Sequence, residues 1–552
     1  MTLKPWLATY RDNGIPETVN ADAWPSVVHL LEDAMRRYAD KPAFRAFGQT
    51  LSFADVDRQS AAFAAWLQQR LGVKKGDRVA VMLPNLLAFP IVCIGILRAG
   101  AVQVNVNPLY TPRELVHQLK DSGSETIVIF NGSTPTLAEV AAQAGIKTVI
   151  TVAPGDGTAA PLPAPPVDPR LAGSSIALAD ALREGASMTR ASMTRAPVAL
   201  TGDDLIFLQY TGGTTGLSKG AALSHRNLVA NVEQFKATMP SAVRPGQEVI
   251  VTAIPLYHIF ALMVNFLTYF SAGAESWLVA NPRDMDGFVE TLKQSKLTVF
   301  MGVNTLYAGL VMHPKIGEVD FSRLHLAGGG GAAVVGAVSD KWKAITGQFI
   351  REGYGLSETS PVLTFNPASI QAFSGTTGLP LPGTDIKLLD DAGVEVPLGQ
   401  SGEVCAKGPQ VMRGYWNQPE ANGAAFTPDG YFKTGDIGQF DDKGFLKIVD
   451  RKKDMVLVSG FNVYPNEVEA VATACPGVAE CACIGVPDDK TGEAVKLFVV
   501  KAPGASLTAD EVIAHCRKEM TAYKVPKTVV FLDALPKSTV GKILRRDLRG
   551  VG

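Results

Sequence analysis

The stretch "LIFLQYTGGTTGLSKG", residues 205–220, sets an apolar run directly before a loop rich in glycine and threonine. The apolar run is typical of a buried strand, and the glycines that follow let backbone N–H groups turn toward one centre. Such a nest of amides attracts anions, and Lys219 adds a mobile positive charge suited to phosphate oxygens. The stretch therefore predicts a phosphate-binding loop at a strand end of an α/β sheet. The candidate phosphate contacts are Thr211, Gly212, Gly213, Thr214, Thr215, Gly216 and Lys219.

A P-loop of the type G-x-x-x-x-G-K-[ST] is one alternative, because it also ends on a lysine. The spacing argues against it, since Gly220 stands where the magnesium-binding hydroxyl of a P-loop follows the lysine. An ordinary surface turn is the other alternative. It stays open until the rest of the chain is considered.

Length and composition limit the class of protein. The 552 residues are too many for one core and predict roughly two to four domains. A net charge of −1 gives no electrostatic case for nucleic acid binding. The six cysteines show no CxxC spacing, and the first residues contain no apolar signal segment. We therefore expect a reduced, cytoplasmic protein without structural zinc.

The longest uncharged stretch, residues 258–274, is shorter than a membrane span and contains polar residues. It predicts a buried helix. Peripheral contact with the inner face of a membrane stays open, because such contact needs only a surface patch. A homodimer stays open as well.

Apolar runs alternate with helical patterns through the first two thirds of the chain, which predicts α/β subdomains with parallel strands. The clearest runs are residues 78–84, 101–107, 125–130 and 147–152. From about residue 378, short strands separated by glycine and proline predict an antiparallel β-subdomain. A smaller α+β block then follows "DRKKD" at 450–454. We therefore expect an N-terminal domain over 1–450 and a C-terminal domain over 451–552.

Further motifs accompany the glycine loop in a fixed order. They are "PLYHIF" at 255–260, "EGYGLSET" at 352–359, "YFKTGD" at 431–436, "DRKKD" at 450–454 and "LPKSTVGKILRR" at 535–546. Over nearly the whole chain, this set resembles the adenylate-forming superfamily of acyl-CoA synthetases, peptide-synthetase adenylation domains and luciferases. The longer phrases "NVNPLYTPREL", "VLVSGFNVYPNEVE" and "LPKSTVGKILRRDLR" resemble the bacterial long-chain fatty-acid–CoA ligase branch.

Two positions depart from the common pattern of the superfamily. Ser218 and Ala333 stand where many relatives carry proline. Neither change removes a charge or a hydroxyl that the chemistry needs.

The resemblance implies a reaction in two steps. A carboxylate first attacks the α-phosphate of ATP and expels pyrophosphate, and the thiolate of CoA then displaces AMP from the acyl-adenylate. Attack by an anion on a triphosphate is catalysed chiefly by positioning and countercharge. The resemblance therefore implies ATP, Mg²⁺ and CoA together with a fatty acid as small-molecule substrate, and it accounts for the opening loop.

The resemblance also implies catalytic roles for single residues. Lys542 would hold the substrate carboxylate and the bridging oxygen, and His258 lies near that carboxylate. Glu358 would bind Mg²⁺, which prefers one or two carboxylates together with phosphate oxygens. A satisfied core histidine stays open as the alternative for His258.

The remaining ATP contacts are implied in the same way, with Tyr354 stacking on adenine and Asp436 accepting the ribose hydroxyls. The full set beyond the loop is Gly331, Ala332, Tyr354, Gly355, Thr359, Asp436 and Arg451.

The C-terminal domain is implied to be mobile, with the hinge at about 450–454 and Lys453 as its central residue. After it turns, Ser459, Gly460 and Phe461 would bind the pantetheine arm of CoA.

Several functions share these motifs. Within the fold they are a medium-chain or aryl-acid–CoA ligase and a luciferase-like oxygenase, because the acyl pocket can differ while the adenylation motifs stay. A nucleotide-binding sensor is a further alternative, but a sensor should have lost Lys542 or Glu358, and both are present. A carrier protein in place of CoA as the acceptor also stays open.

Overall fold

A computed structural model describes residues 4–158, 160–190, 198–211, 218–459, 461–538 and 541–551. The strands in these ranges are β1 (Pro42–Ala46), β2 (Gln49–Ser52), β3 (Arg78–Met82), β4 (Val102–Asn105), β5 (Thr126–Phe130), β6 (Thr148–Val152), β7 (Ser175–Ala177), β8 (Leu205–Thr211), β9 (Lys219–Ser224), β10 (Val249–Thr252), β11 (Glu275–Leu278), β12 (Val299–Gly302), β13 (Leu326–Gly329), β14 (Ile350–Gly355), β15 (Val362–Phe365), β16 (Leu379–Pro380), β17 (Asp385–Leu389), β18 (Ser401–Lys407), β19 (Phe432–Phe440), β20 (Leu446–Arg451), β21 (Val456–Val458), β22 (Phe461–Val463), β23 (Val478–Asp488), β24 (Gly492–Lys501) and β25 (Thr528–Phe531).

The α-helices of the same ranges are α1 (Trp6–Asn13), α2 (Val27–Arg37), α3 (Phe53–Gln69), α4 (Ala88–Arg98), α5 (Pro112–Ser122), α6 (Thr134–Ala144), α7 (Pro169–Ala172), α8 (Leu178–Arg190), α9 (His225–Thr238), α10 (Tyr269–Ser271), α11 (Met285–Ser295), α12 (Asn304–Met312), α13 (Gly336–Thr346), α14 (Pro419–Ala425), α15 (Pro465–Thr473), α16 (Ala509–Glu519) and α17 (Arg545–Leu548).

Two α/β sheets form the bulk of the N-terminal part. The first runs in the order β7-β6-β5-β3-β4-β8-β9, parallel except for β9, and the second in the order β16-β15-β14-β13-β12-β10-β11-β1-β2. Central strands such as β4 and β12 are buried at every residue, as parallel strands covered by helices on both faces must be. Both sheets confirm the predicted α/β class.

The main hydrophobic core lies between these two sheets. It contains helix α4, of which every residue is buried, and it continues through α2, α3 and α9. Ion pairs hold this layer, as Arg98 Nε contacts Glu32 Oε1 at 3.0 Å. The two sheets therefore act as one rigid support for the loops at their edges.

The predicted buried helix of residues 258–274 is present, but most of it is a π-helix, Ala261–Thr268, that continues into α10. All eight residues of the π-helix are buried. No helix among the described residues is long and apolar enough to cross a membrane.

The predicted β-subdomain is the antiparallel sheet β17-β18-β19-β20. It begins slightly later than residue 378, because Leu379–Pro380 still pairs with the second α/β sheet. Helix α1 covers it, with the ring of Trp6 at 5.3 Å from that of Phe440. The last block, with sheet order β22-β21-β24-β23 and β25 beside β24, is α+β as predicted. The domain boundary at 450/451 stays a prediction.

Candidate active site

The predicted phosphate loop connects β8 to β9, and Thr211 pairs with Lys219 across the two strands. Helix α5 lies beneath the loop end, where His117 Nε2 is 2.8 Å from the carbonyl oxygen of Ser218. Residues 212–217 are outside the described residues. The assignments of Gly212, Gly213, Thr214, Thr215 and Gly216 therefore stay predictions.

Glu358 lies in a 3₁₀ turn, Ser357–Thr359, directly after β14. Its side chain is buried, and the hydroxyl of Tyr415 donates a hydrogen bond to Oε1 at 2.8 Å. Burial raises the pKa of Glu358, and the Tyr415 hydrogen bond opposes that rise. A buried carboxylate with a donor on one oxygen fits the single protein ligand that Mg²⁺ needs when ATP supplies phosphate oxygens. Clusters of three or more metal-ligating side chains do not occur in the described ranges.

Thr359, the predicted phosphate contact, lies buried within the turn. Its side chain is fully buried, and its hydroxyl donates to the main-chain carbonyl of Pro361 and accepts from the N–H of Leu356 at 3.0 Å. Ser357, two residues earlier, is half-buried, and its hydroxyl has no hydrogen bond to the described part of the chain. The assignment of Thr359 stays a prediction, and Ser357 is a second candidate for the phosphate contact that the sequence analysis did not name.

A pair of substitutions tests which hydroxyl, that of Ser357 or that of Thr359, contacts the phosphates of ATP. Ser357→Ala should weaken ATP binding by about 1 kcal/mol, the usual value of one neutral hydrogen bond. Thr359→Val should leave ATP binding unchanged. It should lower the melting temperature, because it removes the hydroxyl that forms hydrogen bonds inside the turn. Titration calorimetry and thermal unfolding of both variants separate the two effects. If Thr359→Val weakened ATP binding and Ser357→Ala did not, the phosphate contact would be Thr359.

The predicted adenine segment lies at the end of β13. Gly331 and Ala332 are exposed, and Gly331 has φ +77°, which favours glycine. Two side chains fix the end of this segment: Glu352 accepts from the N–H of Val334 at 2.8 Å, and Asn304 accepts from the N–H of Val335 at 2.9 Å. Burial raises the pKa of Glu352 to about 7.

Tyr354 and Asp436 meet across the border between the second sheet and the β-subdomain. The Tyr354 hydroxyl donates to Asp436 Oδ2 at 2.7 Å, and Arg451 Nε lies 3.3 Å from Oδ1 of the same carboxylate. Asp436 and Arg451 are also partners in register on β19 and β20. The structure thus brings together three of the predicted nucleotide contacts.

Gly355 is required by its own turn, because a Cβ there would lie 1.8 Å from the carbonyl oxygen of Pro361. This contact explains the glycine without a nucleotide. Its part in ATP binding stays a prediction.

Asp436→Asn tests the predicted ribose contact. Loss of a charged acceptor should weaken ATP binding by about 1.5–3 kcal/mol, roughly a tenfold to hundredfold rise in Kd. Asp385→Asn is the matched control, since Asp385 also accepts from a tyrosine, Tyr431, at 3.2 Å. Titration calorimetry should show the loss only for Asp436→Asn. Unchanged affinity in both variants would mean that the ribose lies elsewhere.

The glycine-rich surroundings of Lys542 predict an exposed loop, but the residue is half-buried, and the preceding Gly541 lies close to α12. A Cβ on Gly541, which has φ +77°, would lie 2.2 Å from Thr305 Oγ1, so only glycine permits this close approach. The loop closes through Ser538 N–H, which donates to the Lys542 carbonyl at 2.7 Å.

The pKa values of Lys542 and His258 are both lowered. Burial, together with the positive charge of Arg451, lowers the pKa of Lys542 to about 8. Burial and the charge of Lys542 lower the pKa of His258 to about 4. At neutral pH, His258 is therefore uncharged and Lys542 carries a positive charge.

Lys453 lies in the turn that follows β20, and Asp454 N–H closes that turn on the carbonyl of Arg451 at 3.0 Å. Ser459 has φ +51° at the end of the β21–β22 hairpin, and Gly460 is outside the described residues. Phe461 is 57% exposed and stacks on Tyr523 at 4.9 Å. The hinge and CoA-binding assignments stay predictions.

These features define an adenylate-forming fold and site, and the comparisons agree. The AMP-binding enzyme family matches residues 31–416, and the AMP-binding enzyme C-terminal domain matches residues 467–542. The chain belongs to the AMP-binding enzyme family.

Among named relatives, the long-chain fatty-acid–CoA ligase of Escherichia coli O6:H1 is 49% identical, covering 99% of this chain and 98% of that protein. The feruloyl-CoA synthase of an Amycolatopsis species is 35% identical, covering 92% and 95%. The crystal structure of ATP-bound MatB from Rhodopseudomonas palustris is 32% identical with a TM-score of 0.82, covering 95% and 98%.

Proposed function

We propose that this chain is an AMP-forming ligase that joins a long-chain fatty acid to CoA. The observation that carries the proposal is that Tyr354, Asp436 and Arg451 meet in one cluster, with the Tyr354 hydroxyl 2.7 Å from Asp436 Oδ2 and Arg451 Nε 3.3 Å from Asp436 Oδ1. The 49% identity to a long-chain fatty-acid–CoA ligase over nearly the whole chain supports the choice of substrate.

In the first step, a carboxylate oxygen of the fatty acid forms a bond to the α-phosphorus of ATP. The bond from that phosphorus to the bridging oxygen breaks, and pyrophosphate leaves with the electron pair. Lys542 holds the carboxylate beside the phosphate and so offsets the repulsion between two anions. Neutral His258 accepts or donates one hydrogen bond there without adding a competing charge.

The nucleotide is bound by groups that do not react. Asp436 accepts the ribose hydroxyls, with Arg451 fixing its carboxylate, and Tyr354 supplies an aromatic face to adenine. Thr211 and Lys219 contact the departing phosphates. Glu358 would hold Mg²⁺, which supplies positive charge to the phosphate oxygens when it is bound.

In the second step, the thiolate of CoA attacks the acyl carbonyl carbon, and the bond to AMP breaks. Thioester formation needs access for the pantetheine arm, and it no longer needs the charge of Lys542 once the acyl-adenylate has formed. The C-terminal block therefore turns at Lys453, which moves Lys542 away and brings Ser459, Gly460 and Phe461 to the site.

An assay across acids of graded length tests the proposed substrate. AMP and CoA thioester should form in equal amounts, with the highest kcat/KM for long chains and much lower values for benzoate, cinnamate and ferulate. Highest activity on an aryl acid would favour the function named for the Amycolatopsis relative. Thioester formation only on a carrier protein would contradict CoA as the acceptor.

We extend the proposal to the setting of the reaction, because a long-chain fatty acid partitions into membranes. Peripheral contact with an anionic bilayer should make the protein float with vesicles, and binding without fatty acid should be weak. Sedimentation velocity tests separately whether the chain forms a homodimer. Neither result bears on the chemistry above.

A further inference from the structure

Tyr415 contacts two groups of the predicted ATP site at once. Its hydroxyl donates to Glu358 Oε1 at 2.8 Å, and the Nζ of Lys219 lies 5.3 Å from the centre of its ring. The side chain thus joins the predicted metal ligand to the lysine at the end of the phosphate loop. No motif in the sequence analysis includes it.

Main-chain hydrogen bonds hold Tyr415 against the elements that carry these two groups. Its segment runs antiparallel to β9, where Trp416 N–H donates to the Gly220 carbonyl at 2.8 Å. On the other side, Met412 N–H donates to the carbonyl of Glu358 at 2.8 Å. The side-chain amide of Asn422 also holds Tyr415. It accepts a hydrogen bond from the Tyr415 N–H at 2.6 Å and donates one to the Tyr415 carbonyl at 3.0 Å.

We propose that Tyr415 is a positioning residue that holds Glu358 and Lys219 in place for the metal–ATP complex, a role that rests on the proposed function. The hydroxyl occupies one oxygen of Glu358 and leaves the other free for a divalent cation. The ring attracts the Lys219 ammonium through its face without neutralising it, as a carboxylate partner would. The full charge of Lys219 therefore stays available to the phosphates.

Tyr431 provides a matched control within the same chain. Its hydroxyl donates to Asp385 at 3.2 Å, and the Nζ of Lys387 lies 4.2 Å from its ring centre. It makes the same kinds of contact as Tyr415, but to groups without a predicted role. Tyr431→Phe thus reproduces the structural cost of losing a tyrosine hydroxyl that donates to a carboxylate.

The test measures ATP binding by titration calorimetry, once in EDTA and once over a series of Mg²⁺ concentrations. Tyr415→Phe should raise the half-saturating Mg²⁺ concentration about tenfold and leave metal-free ATP binding within about twofold, because only the hydroxyl is lost. Tyr415→Leu should in addition weaken metal-free binding about threefold, because Lys219 loses the ring face. Tyr431→Phe should change neither quantity.

Spectroscopy with Mn²⁺ gives a readout independent of activity. Electron paramagnetic resonance of the ATP complex should show less bound Mn²⁺ in Tyr415→Phe than in the wild type or Tyr431→Phe. The double variant with Glu358→Gln decides whether the effect passes through Glu358. In that background, Tyr415→Phe should change the metal requirement no further.

Three results would overturn the proposal: a wild-type metal requirement in Tyr415→Phe, an equal shift in Tyr431→Phe, or a shift that persists beside Glu358→Gln. Thermal unfolding of each variant shows that the comparison is made on folded protein. A wild-type chain that binds Mg²⁺ and ATP but forms no acyl-CoA would contradict the proposed function, and the role of Tyr415 would still be decided by the binding data.

Discussion

Lys542→Ala is expected to slow acyl-adenylate formation roughly 100- to 1,000-fold, the usual cost of removing one group that stabilises developing charge in an active site. Thioester formation from supplied acyl-adenylate should stay near the wild-type rate, because the fatty acid is already joined to AMP and pyrophosphate has left. The measurement follows pyrophosphate release and, separately, thioester formation from synthetic acyl-adenylate.

Two companion variants sharpen this result. Lys537→Ala removes a lysine from the same loop that pairs with Glu480, and it should leave both half-reactions intact. Lys542→Arg keeps its charge at high pH, whereas wild-type adenylation should fall as pH rises through about 8, where Lys542 loses its proton. Equal loss of both half-reactions in Lys542→Ala would contradict the assigned role.

Lys453→Pro is expected to slow thioester formation far more than adenylation, by about tenfold or more for a motion that must precede the step. Proline fixes φ near −65° and restricts Lys452 before it, so a turn that visits two conformations is held in one. The amide of Lys453 makes no hydrogen bond within the described residues, so proline removes none from the present arrangement.

Lys453→Ala is the control, because it removes the side chain and leaves the backbone free to rotate. Circular dichroism checks the folding of both variants, and the two half-reactions are measured separately. Normal rates for both in the proline variant would show that Lys453 is not the hinge. Loss of adenylation alone would show that proline locks the opposite arrangement.

The fold class follows from local pattern because strands buried on both faces read as continuous apolar runs. The runs at 78–84, 101–107, 125–130 and 147–152 accordingly appear as β3, β4, β5 and β6. The covering of the β-subdomain by α1 could not be predicted, because Thr9 bonds to Lys443 across 434 residues of chain. The sequence also could not predict that the buried helix is mostly a π-helix, because a helix buried on every side has no hydrophobic periodicity.

In the candidate site, too, motifs predict some of the residues, and only the tertiary fold shows the others. Asp436 and Arg451 could be assigned from motifs, and their pairing on β19 and β20 agrees with those assignments. The choice between Ser357 and Thr359 depends on which hydroxyl the turn buries. The local sequence does not show which of the two side chains is buried. Tyr415 lies 57 residues from Glu358, and only the tertiary fold joins them.

The most direct test of the ligase reaction uses a long-chain fatty acid labelled with ¹⁸O in its carboxylate. The protein is incubated with this acid, ATP, Mg²⁺ and CoA, and the products are analysed by mass spectrometry. With both carboxylate oxygens labelled, attack of the carboxylate on the α-phosphorus predicts AMP that carries one ¹⁸O, acyl-CoA that keeps the other ¹⁸O in its carbonyl group, and unlabelled pyrophosphate. Label in inorganic phosphate accompanied by ADP, or AMP without label, would contradict the account.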